Sequence, residues 1–168
     1  IAASQIGRSG GRSASSNEYD GEGSSDSDYG GDDDSSGGCF TAGTGVIMAD
    51  GSWKPIAEVA VGDKVLCHDF KKGRPVASPV VRLFRLRTES YLRLNGLEVT
   101  ETHPFAVGED EWREAGALRV GDRVLGNGPV EIESVRRVEG EVDVFNLTVG
   151  GTHNFHVGEG GNGYLVHN

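Results

Sequence analysis

The feature that most limits what this chain can become is a short segment that occurs twice. Ile56-Ala57-Glu58-Val59-Ala60-Val61-Gly62-Asp63-Lys64-Val65-Leu66 is echoed by Ala115-Gly116-Ala117-Leu118-Arg119-Val120-Gly121-Asp122-Arg123-Val124-Leu125. Each copy reads as a short turn, a Gly-Asp corner and a Val-Leu strand. Gly-Asp corners are common in β proteins, but the run Val-Gly-Asp-basic-Val-Leu agrees at six aligned positions. Two copies about sixty residues apart imply two related halves rather than a long array of repeats. A pseudo-symmetric fold of that kind would place residues from both halves around one central site.

The rest of the segment from Cys39 onward reads as short β-branched runs separated by Gly, Asn and Asp. Asp50-Gly51 follows Gly45-Val46-Ile47-Met48 as a hairpin turn. Asn95-Gly96, between Tyr91–Leu94 and Leu97–Thr100, is the strongest hairpin signal, because both positions of a tight hairpin turn need positive φ. Asn127-Gly128 marks a third turn, between Arg123–Leu125 and a long run from Val130 to Val138. Val80–Arg87 alternates only loosely, whereas Val142–Val149 alternates as a strand does, placing Val142, Val144, Asn146 and Thr148 on one face. Helix is suggested only as single turns, at Pro55–Val59 and Glu114–Leu118. Many short strands with no long helix predict an all-β domain.

Residues 1–38 differ in kind. They hold Arg8 and Arg12 against Glu18, Asp20, Glu22, Asp26, Asp28, Asp32, Asp33 and Asp34, and are otherwise mostly Gly, Ser and Asn. Such a composition offers too little apolar surface to offset the entropy of ordering the chain, so it predicts a disordered acidic linker. The expected layout is therefore a linker over 1–38 and one domain over 39–168. The chain carries 16 Lys and Arg against 26 Asp and Glu. With no basic stripe, it is a poor candidate for nucleic acid. No run of roughly 18 apolar residues is present to cross a membrane as a helix. It starts at Ile1, with no Met and no apolar signal core, and reads as an excerpt of a longer polypeptide.

Three groups carry candidate chemistry. Cys39 follows Gly38 at the linker–domain junction, where a thiol can attack the preceding carbonyl and convert an amide into a thioester. That step is uphill unless the amide is distorted and its nitrogen receives a proton. Thr100-Glu101-Thr102-His103-Pro104 offers a hydroxyl and an imidazole, which converge only if the chain turns between them. The chain then ends in Tyr164-Leu165-Val166-His167-Asn168. An asparagine side-chain amide can close on its own main-chain carbonyl and release the polypeptide downstream, and a neighbouring imidazole can move the protons. His153-Asn154-Phe155-His156 lies upstream of it. With Cys39, Cys67 and His68, those two histidines suggest a zinc set, but no Cys-x-x-Cys pair anchors it and no metal or other cofactor is expected. Whether Cys67 reaches Cys39 cannot be read from the sequence.

In order along the chain, Cys39-Phe40 with Gly43-Thr44, Thr100-x-x-His103, the strand Val144–Val149 followed by His153, and Leu165-Val166-His167-Asn168 resemble the Hint superfamily. That superfamily comprises inteins, bacterial intein-like domains, Hint domains that precede toxins, and hedgehog processing domains. The resemblance covers residues 39–168 and implies a horseshoe-like all-β fold with a pseudo-two-fold repeat. It implies that Cys39 attacks the Gly38 carbonyl, while Thr100 and His103 hold and destabilise that peptide. It further implies that Asn168 cyclises with help from His167 and His153. Many inteins carry Asp where this chain has Asn146, and Asn cannot exchange a proton as a carboxylate does. In that departure the chain is similar to intein-like domains that cleave more readily than they splice.

The expected function is single-turnover autocatalytic cleavage, with splicing where a Cys, Ser or Thr follows Asn168. The partners would be the covalently attached flanking polypeptides, and the domain is expected to be a monomer without nucleic-acid or membrane partners. The alternatives are hedgehog-type transfer of the thioester to an external nucleophile, an inert β interaction module, and a zinc domain. The acidic Gly/Ser linker fits a secreted or cell-surface multidomain bacterial host, on composition alone.

Overall fold

The computed structural model describes residues 38–158 and 163–168. The linker expected over 1–38 therefore falls, apart from Gly38, outside the described residues. The rest is almost entirely strand: β1 Phe40–Thr41, β2 Gly45–Ile47, β3 Trp53–Pro55, β4 Lys64–Asp69, β5 Arg74–Leu94, β6 Leu97–Val99 and β7 Pro104–Gly108. Beyond these lie β8 Glu111–Glu114, β9 Arg123–Leu125, β10 Pro129–Glu131, β11 Val135–Val149, β12 Asn154–Val157 and β13 Tyr164–His167. Two 3₁₀ turns, Ile56–Glu58 and Ala115–Ala117, stand where the sequence suggested single helical turns.

The predicted hairpins form. Asn95 and Gly96 both take positive φ (51° and 91°), as the turn between β5 and β6 requires. The run from Val130 to Val138 is not one strand, however. It breaks at residues 132–134, where the Asn95 side-chain oxygen accepts the Glu133 and Ser134 N–H groups at 2.7 and 3.1 Å. A hairpin-tip asparagine thus takes up the donors that strand pairing would otherwise use.

The duplication is structural down to single hydrogen bonds. Asp63 accepts the Ala60 N–H at 3.0 Å, and Asp122, 59 positions later, accepts the Arg119 N–H at 2.9 Å. Gly62 and Gly121 sit at φ +97° and +99°. Each donates its N–H across 2.8 Å to a main-chain carbonyl, that of Val80 and of Ile132 respectively. The same offset relates Val46 to Phe105 and Lys54 to Arg113, so the repeat extends upstream of what the sequence comparison picked out.

The sheets follow that symmetry. A six-stranded sheet runs β3-β2-β12-β13-β7-β8, and reads alike from both ends. Val46 of β2 pairs with Val157 of β12, and Phe105 of β7 with Val166 of β13. In the second sheet, of order β11-β1-β6-β5-β4, the long strands β5 and β11 also pair with each other. Phe40 of β1 sits between Val99 of β6 and Phe145 of β11. The apolar core runs through both sheets, with Phe40, Phe105, Phe155, Leu94 and Leu147 fully enclosed. Burying each such side chain contributes roughly 1.5–3 kcal/mol. β1 and β13, which adjoin the candidate residues Cys39 and Asn168, are thus fixed by core strands on both sides.

Candidate functional site

Cys39 lies one residue before β1 and is buried, with 3 % of its surface exposed. Its N–H donates to Thr100 Oγ1 at 2.8 Å, and the Thr100 N–H donates to the Cys39 carbonyl at 2.9 Å. That N–H belongs to the Gly38–Cys39 peptide, so Thr100 holds the very bond that a thiol attack would break. Burial pushes the Cys39 thiol up to about 12. The sulfur is therefore protonated at neutral pH and needs a base to become a nucleophile. Continuing the antiparallel register of Phe40 with Phe145 sets Asn146 opposite Cys39. The Asn146 side-chain oxygen is buried and has no hydrogen-bond partner.

His103 follows a turn, closed by its own N–H on the Thr100 carbonyl at 3.3 Å. That turn resolves the conflict in the sequence, where Thr100 and His103 could not share a strand face. The second 3₁₀ turn clamps it. Ala115 donates to the His103 carbonyl at 2.9 Å and Gly116 to the Glu101 carbonyl at 2.8 Å. Arg137 of β11 pairs with the Glu101 side chain from outside. In the first half Ile56 and Ala57 donate to Thr44 and Ala42 in the same way, so Thr44 is the counterpart of the catalytic candidate.

The His103 ring is fully buried, packs on Phe40 at 4.3 Å between centroids, and has no hydrogen bond of normal geometry at either nitrogen. Burial drives its pKa down to about 3, against a weaker upward pull from the main chain of His167 and Gly38. It is a neutral imidazole, with an acceptor and a donor nitrogen, set against the main chain of Gly38 and His167. Gly38 packs directly on it. A Cβ at position 38 would stand 2.5 Å from His103 Cα, and Gly38 adopts φ +85°.

The other end of the chain arrives from the opposite side. Phe105 pairs with Val166, so the antiparallel continuation sets His103 level with Asn168. The Asn168 N–H donates to the His153 carbonyl at 3.0 Å. With its side-chain amide turned to satisfy both neighbours, Nδ2 donates to the same carbonyl at 2.8 Å and Oδ1 accepts the Val149 N–H at 2.7 Å. His167 Nδ1 lies 2.9 Å from the Asn168 carbonyl oxygen, where it can only donate. Asn146 and Val149 are three residues apart on β11, which puts Cys39 and Asn168 about 10 Å apart along that strand.

Of the residues singled out in the sequence, Cys39, Thr100, His103, Asn146, His167 and Asn168 come together around β11 and β13. His153 joins them through its main chain; its side chain is exposed, and it sits at φ +59°, uncommon for a residue with a Cβ. His156 is buried, so the two histidines do not present a common ligand face, and burial lowers the His156 pKa to about 4. Both cysteines are free thiols. Among the described residues no three His, Cys, Asp or Glu side chains gather as a metal centre would need. Sequence reasoning missed Asn154, whose side chain bonds both the N–H and the carbonyl of His68 and ties β12 to β4. It also missed Trp112, packed on His167. Its signal was present, since Trp53 precedes it by the same 59 positions that relate the two halves.

No curated protein sequence matches the chain. Among solved structures, a bacterial intein-like domain from Clostridium thermocellum is 31 % identical, with TM-score 0.71, over 77 % of this chain and 98 % of that one. The gp41-1 intein is 25 % identical with TM-score 0.62, over 79 % of this chain and 100 % of that one. A DnaB intein from Synechocystis shares the fold at 20 % identity and TM-score 0.64, over 77 % and 97 % of the two chains. The family profile described as the pretoxin Hint domain matches residues 46–168. With the intein fold, the duplicated halves and that match in place, this chain belongs to the pretoxin Hint domain family, within the Hint superfamily of inteins and intein-like self-processing domains.

Proposed function

We propose that residues 39–168 form a unit that cuts the polypeptide at its two junctions, with residues 1–38 as the linker to whatever precedes it. In the first step Cys39 Sγ bonds to the Gly38 carbonyl carbon and the Gly38–Cys39 C–N bond breaks. The thiol proton ends on the freed Cys39 nitrogen, so the step is an isomerisation that consumes nothing, and the chain is severed there when water or an added thiol takes the Gly38 acyl group and the Cys39 sulfur regains a proton. His103 relays the proton, accepting on one bare nitrogen and donating from the other, while Thr100 fixes the scissile N–H. In the second step Asn168 Nδ2 bonds to its own carbonyl carbon, and the bond to the next residue breaks. One Nδ2 proton passes to the departing amine. His167 Nδ1 donates to the carbonyl oxygen and stabilises the charge that grows there.

What carries this reading is the placement of one buried, neutral imidazole, His103, against the main chain at both Gly38 and His167, with neither ring nitrogen in a hydrogen bond of normal geometry. A structural core histidine would be expected to have its nitrogens satisfied. The terminal His167-Asn168 pair, which transfer of the thioester to a dedicated external nucleophile does not require, favours cleavage at both junctions over that alternative. Joining of the flanks requires an acceptor hydroxyl or thiol after Asn168, and cleavage does not. The partners in this reading are the attached flanking polypeptides, the working unit is a monomer, and the host is a secreted or surface multidomain protein.

The test is the intact mass, over time, of residues 1–168 placed between two folded reporters, with and without dithiothreitol. Thiol-dependent loss of the N-terminal reporter that Cys39→Ala abolishes, with release of the other that Asn168→Ala abolishes, is the expected result. An unchanged mass throughout would sink the proposal.

A further inference from the structure

His167 is the last residue of β13 and only half-buried, so its contact with the Asn168 carbonyl depends on what holds the ring sideways. One aromatic side chain does so. The Trp112 ring lies 4.9 Å from the His167 ring, centroid to centroid, at 89°, an edge-to-face contact. Trp112 belongs to β8, two strands away. Glu114 of β8 stands opposite Pro104, and Trp112, two residues earlier, shares its face of the sheet. The indole therefore reaches diagonally across β7 to the imidazole.

Trp112 is itself braced. Its indole N–H donates to Asp110 Oδ1 at 3.3 Å, and Phe70, just beyond β4, meets its ring at 6.1 Å and 84°. The duplication supplies an internal comparison. Trp53, at the same place in the first half, is 47 % exposed. One copy of the same repeat residue stands in solvent, and the other is fixed against the imidazole beside Asn168.

We propose that Trp112 is a positioning residue for asparagine cyclisation, holding the His167 ring in the orientation that puts Nδ1 on the Asn168 carbonyl, with Phe70 as its brace. This rests on the self-processing reading, yet it concerns the C-terminal step alone. A reaction that depends on angstrom-level placement loses up to roughly 100-fold when a group drifts by about 1 Å.

The experiment compares Trp112→Ala, Trp112→Phe and Trp53→Ala in the two-reporter fusion. In Trp112→Ala, Asn168-dependent release should slow about 10- to 100-fold, while thiol-dependent loss of the N-terminal reporter keeps its rate. Trp112→Phe should recover most of the release, and Trp53→Ala should match the parent. Release at the parent rate in Trp112→Ala, or equal slowing of both cleavages, overturns the proposal. A second readout does not require cleavage. In residues 1–168 ending at Asn168, the imidazole ¹⁵N shifts of His167 should report a single Nδ1–H tautomer. Trp112→Ala should move them towards the average of the two tautomers, and unchanged shifts would overturn the inference. If the parent fusion releases nothing, the self-processing reading fails, and the shifts alone decide the role of Trp112.

Discussion

Replacing Gly38 by alanine tests the N-terminal half of the site most sharply, because the structure fixes both the clash and its direction. An added Cβ would meet His103 Cα and N at 2.5 Å and Cβ at 2.7 Å. Two of those atoms are main chain in a turn clamped by Ala115 and Gly116, so no rotamer change relieves the overlap. Reaching even a tight 3.4 Å contact requires a displacement of about 0.9 Å, the scale at which misplacement costs a reaction roughly 100-fold. The φ of +85° adds about 1–2 kcal/mol of strain for a residue with a Cβ. Thiol-dependent release of the N-terminal reporter should therefore slow about 100-fold. Asn168-dependent release and the melting temperature of the domain should change little, because the junction rather than the core gives way. Release within about threefold of the parent rate, against that roughly 100-fold expectation, would refute the reasoning and show that Gly38 leaves His103 without cost.

Thr100→Val leaves the Cys39 N–H without its acceptor, at a cost of about 1–3 kcal/mol for a buried donor. It should slow thioester formation by roughly tenfold or more while sparing the C-terminal step, as a thiolysis time course would read. Acid should destabilise the domain before any carboxylate titrates. His103 and His156 have pKa values held at about 3 and about 4 against 6.5, first by burial. Their stabilisation is fully present above about pH 6.5 and fades as the unfolded chain takes up protons that the folded rings refuse. The loss should reach about 4 kcal/mol at pH 5, measured by urea unfolding at pH 7.5 and 5, and equal midpoints would contradict it. Asp63→Ala and Asp122→Ala should each lower stability by about 1 kcal/mol and by similar amounts, since each side chain accepts one equivalent N–H. A neutral result at only one of them would show that the halves are not energetically equivalent.

The all-β class, the hairpins at Asp50-Gly51 and Asn95-Gly96 and the paired turns were legible because they depend on local chemistry. Positive φ at Asn95 and Gly96, or the Asp63 carboxylate accepting an N–H three residues earlier, needs only neighbours in sequence. The break at residues 132–134 was not legible. The group responsible, the Asn95 side chain, lies 38 positions from Glu133. The roles at the site divide in the same way. Cys39, Thr100, His103 and Asn168 could be named as candidates from residue type and order. That His153 contributes a carbonyl, and that its ring faces solvent, depends on the turn after β11.

The sequence by itself determined the duplication, the turn positions and the candidate side chains for peptide-bond cleavage, because these are properties of short segments. Only the tertiary structure decided their chemical state. Burial holds Cys39 as a protonated thiol and His103 as a neutral imidazole because strands from both halves exclude water around them, and desolvation is a property of packing that no single segment contains. The choice between equivalent residues was made there too. Trp53 and Trp112 occupy the same place in the repeat, yet only Trp112 lies across β7 from the strand that ends in His167 and Asn168.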